Sequence, residues 1–379
     1  MKTKLCGGRV FYAGVFENAC PVIWENGTVI ALGDGCDGIA VDREIRADGL
    51  LVLPGLVDIH THGRGGYDFS TATTDEMQRM KADYARHGVT ALFPTLASAT
   101  AEDWIRAIEA IKSCGFDGIH LEGRYLNPAK RGAHSADFLA RLDAGELETF
   151  LSQIPIPCHV SAAFELDQDG SFAACAKRHG ATMSLGHTAA TAEQTKVAME
   201  RGVTAFTHLF NAMPPLHHRE GGAVSVALEG AGYAELIVDG LHICPDMVRF
   251  AYRCLGNQRT VLITDSMEGT GCPDGIYSIA GQDVTLKGGR ALTAYGALAG
   301  STLDLWDGVK NLMRFAGIPL SEAIVCATEA PARAVGIFDC VGSIDVGKRA
   351  DLLLVEESDL HIREVISAGE PVNGKDETK

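Results

Sequence analysis

The chain has 379 residues, of which 46% are hydrophobic and 22% charged. This composition is typical of a folded globular protein with one large domain and a smaller one, and it argues against disorder. The formal net charge of −16 argues against nucleic acid and against an anionic membrane as partners. A small phosphorylated substrate stays compatible with it, because a local pocket can be positive on an acidic protein.

Eleven cysteines are scattered along the chain, an odd number and without a CxxC pair. They fit reduced thiols rather than a disulfide framework. The N-terminus lacks the apolar segment of a signal peptide, and no apolar stretch is long enough to predict a membrane span. We therefore expect a cytoplasmic protein.

Short strand-like segments separated by turn residues lie at both ends of the chain. Residues 8–11 and 27–30 form two of them near the start, and residues 351–355 form another near the end. They predict a small β-sandwich domain assembled from residues 1–53 and 341–379. The polar residues 374–379 are expected to be disordered.

Eight short runs rich in β-branched or apolar residues recur between these ends, mostly about thirty residues apart. They comprise residues 56–62, 89–96, 116–122, 156–165, 181–187, 203–210, 234–242 and 259–266. The segments between them are typical of helices, for example 74–87, 100–113 and 191–201. Eight alternating strands and helices predict a (β/α)8 TIM-type barrel over residues 54–340. An open α/β sheet is the alternative, weakened because no glycine-rich dinucleotide motif follows the first strand.

Metal-capable side chains stand at the ends of these predicted strands, where the chemistry of a barrel is located. His60 and His62 share one face of the first strand because they are two residues apart. The complete set comprises His60, His62, Glu122, His187, His208, His242 and Asp265. By contrast, His120 and His159 lie mid-strand and are expected in the core or in contact with the ligands, not among the ligands themselves.

Four of these histidines and the two carboxylates suit zinc or a similar divalent ion with an open position for water. Such an ion lowers the pKa of bound water to about 7. Asp265, free to exchange a proton, is then the expected general base and acid. The combination predicts metal-assisted hydrolysis of an amide, ester or C–N bond.

Several motifs in this order resemble the amidohydrolase superfamily and, within it, the N-acetylglucosamine-6-phosphate deacetylase family. The general marks are PGLVDIHTHG at 54–63 and GSIDVGKRADL at 342–352. The specific marks are HLEG at 120–123, KRGAH at 130–134, GHTAAT at 186–191, THLFNAMPPL at 207–216, DGLH at 239–242, TD at 264–265 and LAGS at 298–301. The resemblance implies removal of acetate from an N-acetyl sugar phosphate, in a homodimer.

The resemblance also implies roles for individual residues. Glu122, His187 and His208 are the implied principal metal ligands, and Asp265 the catalytic acid and base. His134 is implied to polarise the acetyl carbonyl. Implied substrate contacts are Ala133, His134, Asn211, Ala212, Arg219, His242, Leu298, Ala299 and Gly300. Arg219 is expected to reach the phosphate in the neighbouring subunit's site.

Two features distinguish this chain within the family. Both His60 and His62 are present, so we expect one or two ions per subunit, with Glu122 bridging a pair; zinc is favoured, with iron(II) and manganese(II) as alternatives. Arg124 stands where proline is usual, and we expect it to add a charge beside the pocket. Alternatives for the function are an N-acetylgalactosamine 6-phosphate deacetylase, a cyclic amidase or deaminase, and a non-enzymatic scaffold of the same fold.

Overall fold

A computed structural model describes residues 1–18 and 20–372. The tail 374–379, which we predicted to be disordered, lies outside these residues. Eight strands form one parallel sheet in sequential order. They are Leu56–Thr61, Val89–Leu96, Ile119–Glu122, Cys158–Ala162, Thr182–Leu185, Ala205–Phe206, Tyr233–Leu236 and Thr260–Leu262. We refer to them as the first to eighth barrel strands.

Backbone hydrogen bonds bring the eighth strand's continuation against the first strand and close the barrel. The N–H of Asp265 donates to the carbonyl of His60 at 2.9 Å, and the N–H of His62 donates to the carbonyl of Ser266 at 2.8 Å. The predicted TIM-type barrel is thus confirmed, and the open sheet is wrong. Most predicted strands were too long. The observed strands end, and loops begin, before most of the polar residues that we placed at the strand ends.

Helices alternate with the barrel strands and begin where the sequence has capping residues. Thr73 accepts the N–H of Glu76 at 3.4 Å, and Glu76 accepts the N–H of Thr73 at 2.8 Å, a reciprocal cap that starts the first helix. The α-helices are Thr74–Arg86, Ala101–Cys114, Ala144–Leu151, Ser171–Arg178, Ala192–Glu200, Ala223–Glu229, Pro245–Leu255, Leu305–Ala316, Leu320–Ala323 and Glu329–Ala334. Short 3-10 turns span Gly33–Cys36, Pro128–Lys130, Ala136–Phe138, Phe164–Leu166 and Val325–Ala327. None of the helices in the described part of the chain is long and apolar enough to cross a membrane.

Two further sheets lie outside the barrel: one combines strands from both ends of the chain, and the other uses N-terminal strands alone. The six-stranded sheet has the order Glu370–Pro371, Ile362–Ser367, Leu352–Glu356, Leu50–Pro54, Arg9–Tyr12 and Val15–Asn18. The four-stranded sheet has the order Thr28–Leu32, Val22–Glu25, Lys2–Cys6 and Arg43–Arg46. Leu5 and Trp24 of one sheet and Val52 and Leu352 of the other are buried in a common core. The division of the chain at residues 53 and 341 stays a prediction.

An antiparallel sheet that we did not predict follows the eighth barrel strand. Its three strands are Gly275–Ile279, Gln282–Lys287 and Arg290–Thr293. Their apolar residues pack in one cluster with Ala97 and Ala133 from loops above the barrel. A two-stranded ribbon, Gly63–Arg64 and Tyr67–Asp68, follows the first barrel strand. Both additions lie on the carboxyl-end side of the barrel strands.

Candidate metal centre and active site

One buried carboxylate, Glu122, lies between two pairs of histidines. It is the last residue of the third barrel strand and is 2% exposed. Its Oε1 is 3.1 Å from His187 Nε2 and 2.9 Å from His208 Nε2. Its Oε2 is 3.1 Å from His62 Nε2 and 3.4 Å from His60 Nε2. Side chains from strands far apart in sequence therefore surround a single acidic group.

Asp265, in the loop that follows the eighth barrel strand, completes the group. Its Oδ1 is 3.1 Å from His62 Nε2 and 3.6 Å from His60 Nε2. The side chain keeps 11% of its surface exposed, so it reaches the adjoining cavity while touching the histidines. A carboxylate in this position can both face an ion and exchange a proton with a bound molecule.

Three of these residues occupy the sparsely populated left-handed backbone region. The φ angles are 46° at His187, 30° at His208 and 49° at Asp265. We predicted that these residues end their strands, and this was wrong: the strands stop two residues before each histidine and three before Asp265. His242 lies six residues beyond its strand. Strained turns of this kind cluster at functional sites, where surrounding contacts hold them.

The hydrogen bonds of the imidazoles leave ring nitrogens facing one another. His60 Nδ1 is 2.9 Å from a carboxylate oxygen of Glu235, and His187 Nδ1 is 2.8 Å from the carbonyl of Lys130. In their neutral forms both rings therefore carry the proton on Nδ1 and present a lone pair on Nε2. His187 Nε2 and His208 Nε2 lie 3.1 Å apart, and buried His60 Nε2 has no hydrogen-bond partner in the described residues. Converging lone pairs with an oxygen ligand fit a divalent first-row ion.

The electrostatics of the group favour charged carboxylates. Burial alone would raise the pKa of Glu122, but His60 and the other imidazoles around it hold that pKa well below its usual value. Burial likewise acts against His62, yet Asp265 and Glu122 raise the pKa of His62 to about 9. Burial lowers the pKa of His187 to about 4. The carboxylates of the centre are thus held in the charged form to which a cation binds.

His134 faces the same group from the loop after the third strand. Its Nδ1 lies 3.3 Å from the backbone N of Ser98, which can only donate, and 2.8 Å from Ser98 Oγ. The proton of a neutral His134 therefore sits on Nε2, which is 3.6 Å from Glu122 Oε2. Because His134 lines the cavity, this N–H is available to an acceptor bound there.

A cavity of about 290 Å³ opens beside the centre. Its volume is close to the lower end, about 300 Å³, of ordinary small-molecule pockets. The predicted site residues that line it are His62, Glu122, Ala133, His134, His187, His208, Asn211, Ala212, His242, Asp265, Leu298 and Gly300. Four lining residues were not predicted, namely Gly132, Ile279, Ala280 and Ala297.

Four predicted residues lie elsewhere. His60 lies beneath the cavity, against Glu122, and Ala299 is fully buried behind it. Arg219 is exposed, with Nη1 2.7 Å from His218 Nε2, and does not line its own chain's cavity. Arg124 does not line the cavity, so our expectation that it adds a charge beside the pocket was wrong. Its guanidinium binds the carbonyl of Ala99 at 2.7 Å and the carboxylate of Glu146 at 2.6 Å, away from the cavity.

Comparison with known proteins agrees with this geometry, since the amidohydrolase family matches residues 51–372. The chain belongs to this family. It is 35% identical over 350 residues to an N-acetylglucosamine-6-phosphate deacetylase of Vibrio furnissii, covering 89% of this chain and 87% of the relative. It is 34% identical to an N-acetylgalactosamine-6-phosphate deacetylase of Escherichia coli O157:H7, covering 85% and 88%. A Mycobacterium smegmatis N-acetyl-D-glucosamine-6-phosphate deacetylase, solved with N-acetyl-D-glucosamine-6-phosphate, superposes with a TM-score of 0.90 at 33% identity, covering 98% and 99%.

Two residues of this amidohydrolase that contact the centre were not predicted from the sequence. Glu235 binds His60 from the seventh strand, and Ser98 binds His134 from the loop after the second. A glutamate inside the apolar run of residues 233–238 is a signal that could have singled out Glu235. Ser98 carries no such signal, because a serine in a loop is ordinary.

Proposed function

We propose that this amidohydrolase hydrolyses the acetamido group of N-acetyl-D-glucosamine 6-phosphate, giving D-glucosamine 6-phosphate and acetate. The observation that carries the proposal is Glu122, held between two histidine pairs at the rim of a barrel whose relatives bear that activity. In the reaction a water oxygen bonds to the acetyl carbon, the C–N bond breaks, and the amine leaves with a proton.

The residues proposed to hold the metal are His60, His62, Glu122, His187, His208 and Asp265. Two groups that share Glu122 support one or two ions per subunit: His60 and His62 belong to one, His134 and His187 to the other. Zinc is the ion we favour, with iron(II) or manganese(II) as alternatives. The chemistry that a bound ion supplies is polarisation of the carbonyl and a lowered pKa of bound water.

Asp265 and His134 are the proposed catalytic residues. Asp265 accepts the proton of the attacking water on its carboxylate and returns it to the departing nitrogen, a role that its partly exposed side chain permits. His134 donates Nε2–H to the acetyl oxygen as negative charge develops there, because Ser98 keeps the proton off Nδ1. Hydrogen bonding to Ser98 thus favours donation by His134 over metal ligation.

The substrate's phosphate needs a cationic partner that the cavity does not supply. None of its lining residues in the described chain is lysine or arginine. Asn211, Ala212 and His242 are the proposed contacts for the sugar phosphate; His242 Nδ1 lies 2.7 Å from Asp239 Oδ2. We propose a homodimer in which exposed Arg219 reaches the phosphate in the neighbouring subunit's site. The eleven free thiols support the predicted cytoplasmic location.

A deacetylase for N-acetylgalactosamine 6-phosphate is the second candidate, favoured by the Escherichia coli O157:H7 relative at 34% identity. The two sugars differ only in the configuration of one hydroxyl. The deciding experiment measures acetate release from both epimers, and from N-acetylglucosamine without phosphate, with zinc, iron(II) and manganese(II) added separately. We expect the highest kcat/KM with N-acetylglucosamine 6-phosphate. A preference for the galactosamine epimer would reverse the assignment, and inertness toward the whole panel would reject the reaction.

A further inference from the structure

Glu235 is a buried carboxylate without an ordinary counter-ion. It lies on the seventh barrel strand and is 1% exposed. Burying a carboxylate is costly unless charged or hydrogen-bonding groups replace the lost water. In residues 1–18 and 20–372 its ionic contacts are with histidines alone, and neither lysine nor arginine reaches it.

The contacts of Glu235 all lead to the candidate centre or directly beneath it. Its Oε2 is 2.9 Å from His60 Nδ1 and 3.1 Å from the backbone N of His208. Its Oε1 is 3.7 Å from Nε2 of buried His159. Because a charged carboxylate oxygen can only accept, the 2.9 Å contact places a proton of His60 on Nδ1.

This contact decides which nitrogen of His60 faces the centre. With Nδ1 protonated, the Nε2 lone pair is directed at Glu122 Oε2, 3.4 Å away, and Asp265 Oδ1, 3.6 Å away. The ring of His120 packs edge-on against His60, with centroids 4.4 Å apart. Packing of this kind restricts the ring plane but does not select a tautomer, whereas a carboxylate on Nδ1 does.

The other half of the centre is positioned by a different group. His187 Nδ1 donates to the carbonyl of Lys130 at 2.8 Å, with no contact to Glu235. Glu235 reaches this half only through the backbone N–H of His208, at 3.1 Å, and a glutamine at position 235 keeps an oxygen that can accept that N–H. Glu235→Gln therefore perturbs His60 more than it perturbs His187. Loss of the Glu235 acceptor would release His60 while leaving His187 oriented.

We propose that Glu235 is a positioning residue that fixes the tautomer and orientation of His60, and so builds the half of the metal centre formed by His60 and His62. The inference rests on the proposed function only in taking His60 and His62 as metal ligands. Partners of this type typically change metal affinity by about 10–100-fold when they are removed.

Metal binding provides the first test. The full chain is stripped of metal and titrated with Zn²⁺, and bound ions are counted by equilibrium dialysis. We expect Glu235→Gln, which keeps an acceptor oxygen without the charge, to weaken binding at the His60 half by about 10-fold, and Glu235→Leu by about 100-fold. Asp167→Asn is the matched control. It also removes a buried carboxylate, one that accepts backbone N–H groups from Phe172 and Ala173 and does not line the cavity.

Two further measurements separate positioning from a structural role. In a His60→Gln background, Glu235→Gln should change Zn²⁺ affinity by less than about twofold, since the group it positions is gone. Burial opposes charge on His60, but Glu122 and Glu235 raise its pKa well above the usual value, so imidazole ¹⁵N NMR of the metal-free protein is recorded above that pKa. The neutral His60 ring should then be protonated on Nδ1 in the wild type and should show a mixture of tautomers in Glu235→Gln.

The outcomes distinguish this inference from the proposed function. Wild-type Zn²⁺ affinity in both Glu235 variants overturns the inference alone, as does an equal loss in the His60→Gln background. A wild-type protein that binds Zn²⁺ and releases acetate leaves the proposed function intact in either case. A wild-type chain that binds no divalent ion overturns both. Should Glu235→Leu fail to fold, Glu235→Gln still decides the question.

Discussion

Replacing Asp265 with asparagine should remove the proposed proton acceptor while leaving the fold intact. The backbone at this position has φ 49°, in the left-handed region that asparagine tolerates better than most residues. The N–H of Asp265 donates to the carbonyl of His60 at 2.9 Å, and its carbonyl accepts the N–H of Ser301 at 2.6 Å. Both bonds involve the main chain, so the variant retains them.

The magnitude follows from the lost proton transfer. The amide oxygen of asparagine can still face His62 Nε2, which is 3.1 Å from Asp265 Oδ1, but an amide does not accept a proton at neutral pH. General acid–base groups typically contribute about 10²–10⁴-fold to rate. At about 1.36 kcal/mol for each tenfold change, kcat should fall by the equivalent of about 2.7–5.4 kcal/mol in activation free energy. Substrate binding should change little, because the sugar contacts are elsewhere.

The assay is acetate release over a range of N-acetylglucosamine 6-phosphate concentrations, with bound metal per chain measured on the same samples. Asp167→Asn, whose side chain binds Phe172 and Ala173 and does not line the cavity, should keep kcat close to the wild-type value. A fall in kcat with the metal retained supports proton transfer by Asp265. A kcat within a few-fold of wild type in metal-loaded Asp265→Asn would refute the reasoning.

Four other perturbations test separate parts of the molecule. Arg219→Ala should lower kcat/KM on the phosphorylated substrate by about 10–100-fold, the loss of a charge-assisted contact, and leave hydrolysis of unphosphorylated N-acetylglucosamine unchanged; equal effects on both would contradict a phosphate contact. Gly123→Ala should reduce kcat, because an added Cβ would overlap the backbone of Ser98 and displace the partner of His134; near-wild-type kinetics would argue against that role. Chelation should abolish acetate release and lower Tm, because an ion present at 100 times its Kd stabilises the fold by about 2.7 kcal/mol. Adding back zinc, iron(II) or manganese(II) should reverse both effects. Phe93→Ala, in the barrel core, should lower the free energy of unfolding in urea by about 3–5 kcal/mol. A loss below about 1 kcal/mol would mean that neighbouring side chains move in to fill the space left by the ring.

Much of the scaffold could be predicted because its signals are local. Capping residues and helix-ending glycines mark the helices; Gly88 and Gly202, for instance, have φ of 93° and 114° after their helices. Apolar runs at regular spacing predict parallel strands joined by helices, which have one favoured closed arrangement at eight repeats. The antiparallel sheet at residues 275–293 was not predicted, because its strands lie only a few residues apart and do not follow the thirty-residue spacing of the barrel strands.

Site residues were predicted where they combine metal-capable chemistry with a position near a strand end, as Glu122 and His187 do. Arg124 shows the limit of that reasoning. Its charge next to a predicted ligand indicated a pocket residue, yet a φ of 55° turns the chain there, and its guanidinium binds Glu146 and Ala99. Neither partner is near in sequence, so no local pattern predicts them.

The sequence by itself determined the order of strands and helices, the chemistry available at the barrel rim and the family to which the chain belongs, since each is written in local spacing or in motifs. Only the tertiary structure decided which groups meet. Barrel closure brings Asp265 against His62, and the seventh strand brings Glu235 under His60, at 3.1 and 2.9 Å. Hydrogen bonds and ion pairs depend on distances of this kind, which long-range packing sets and sequence spacing does not.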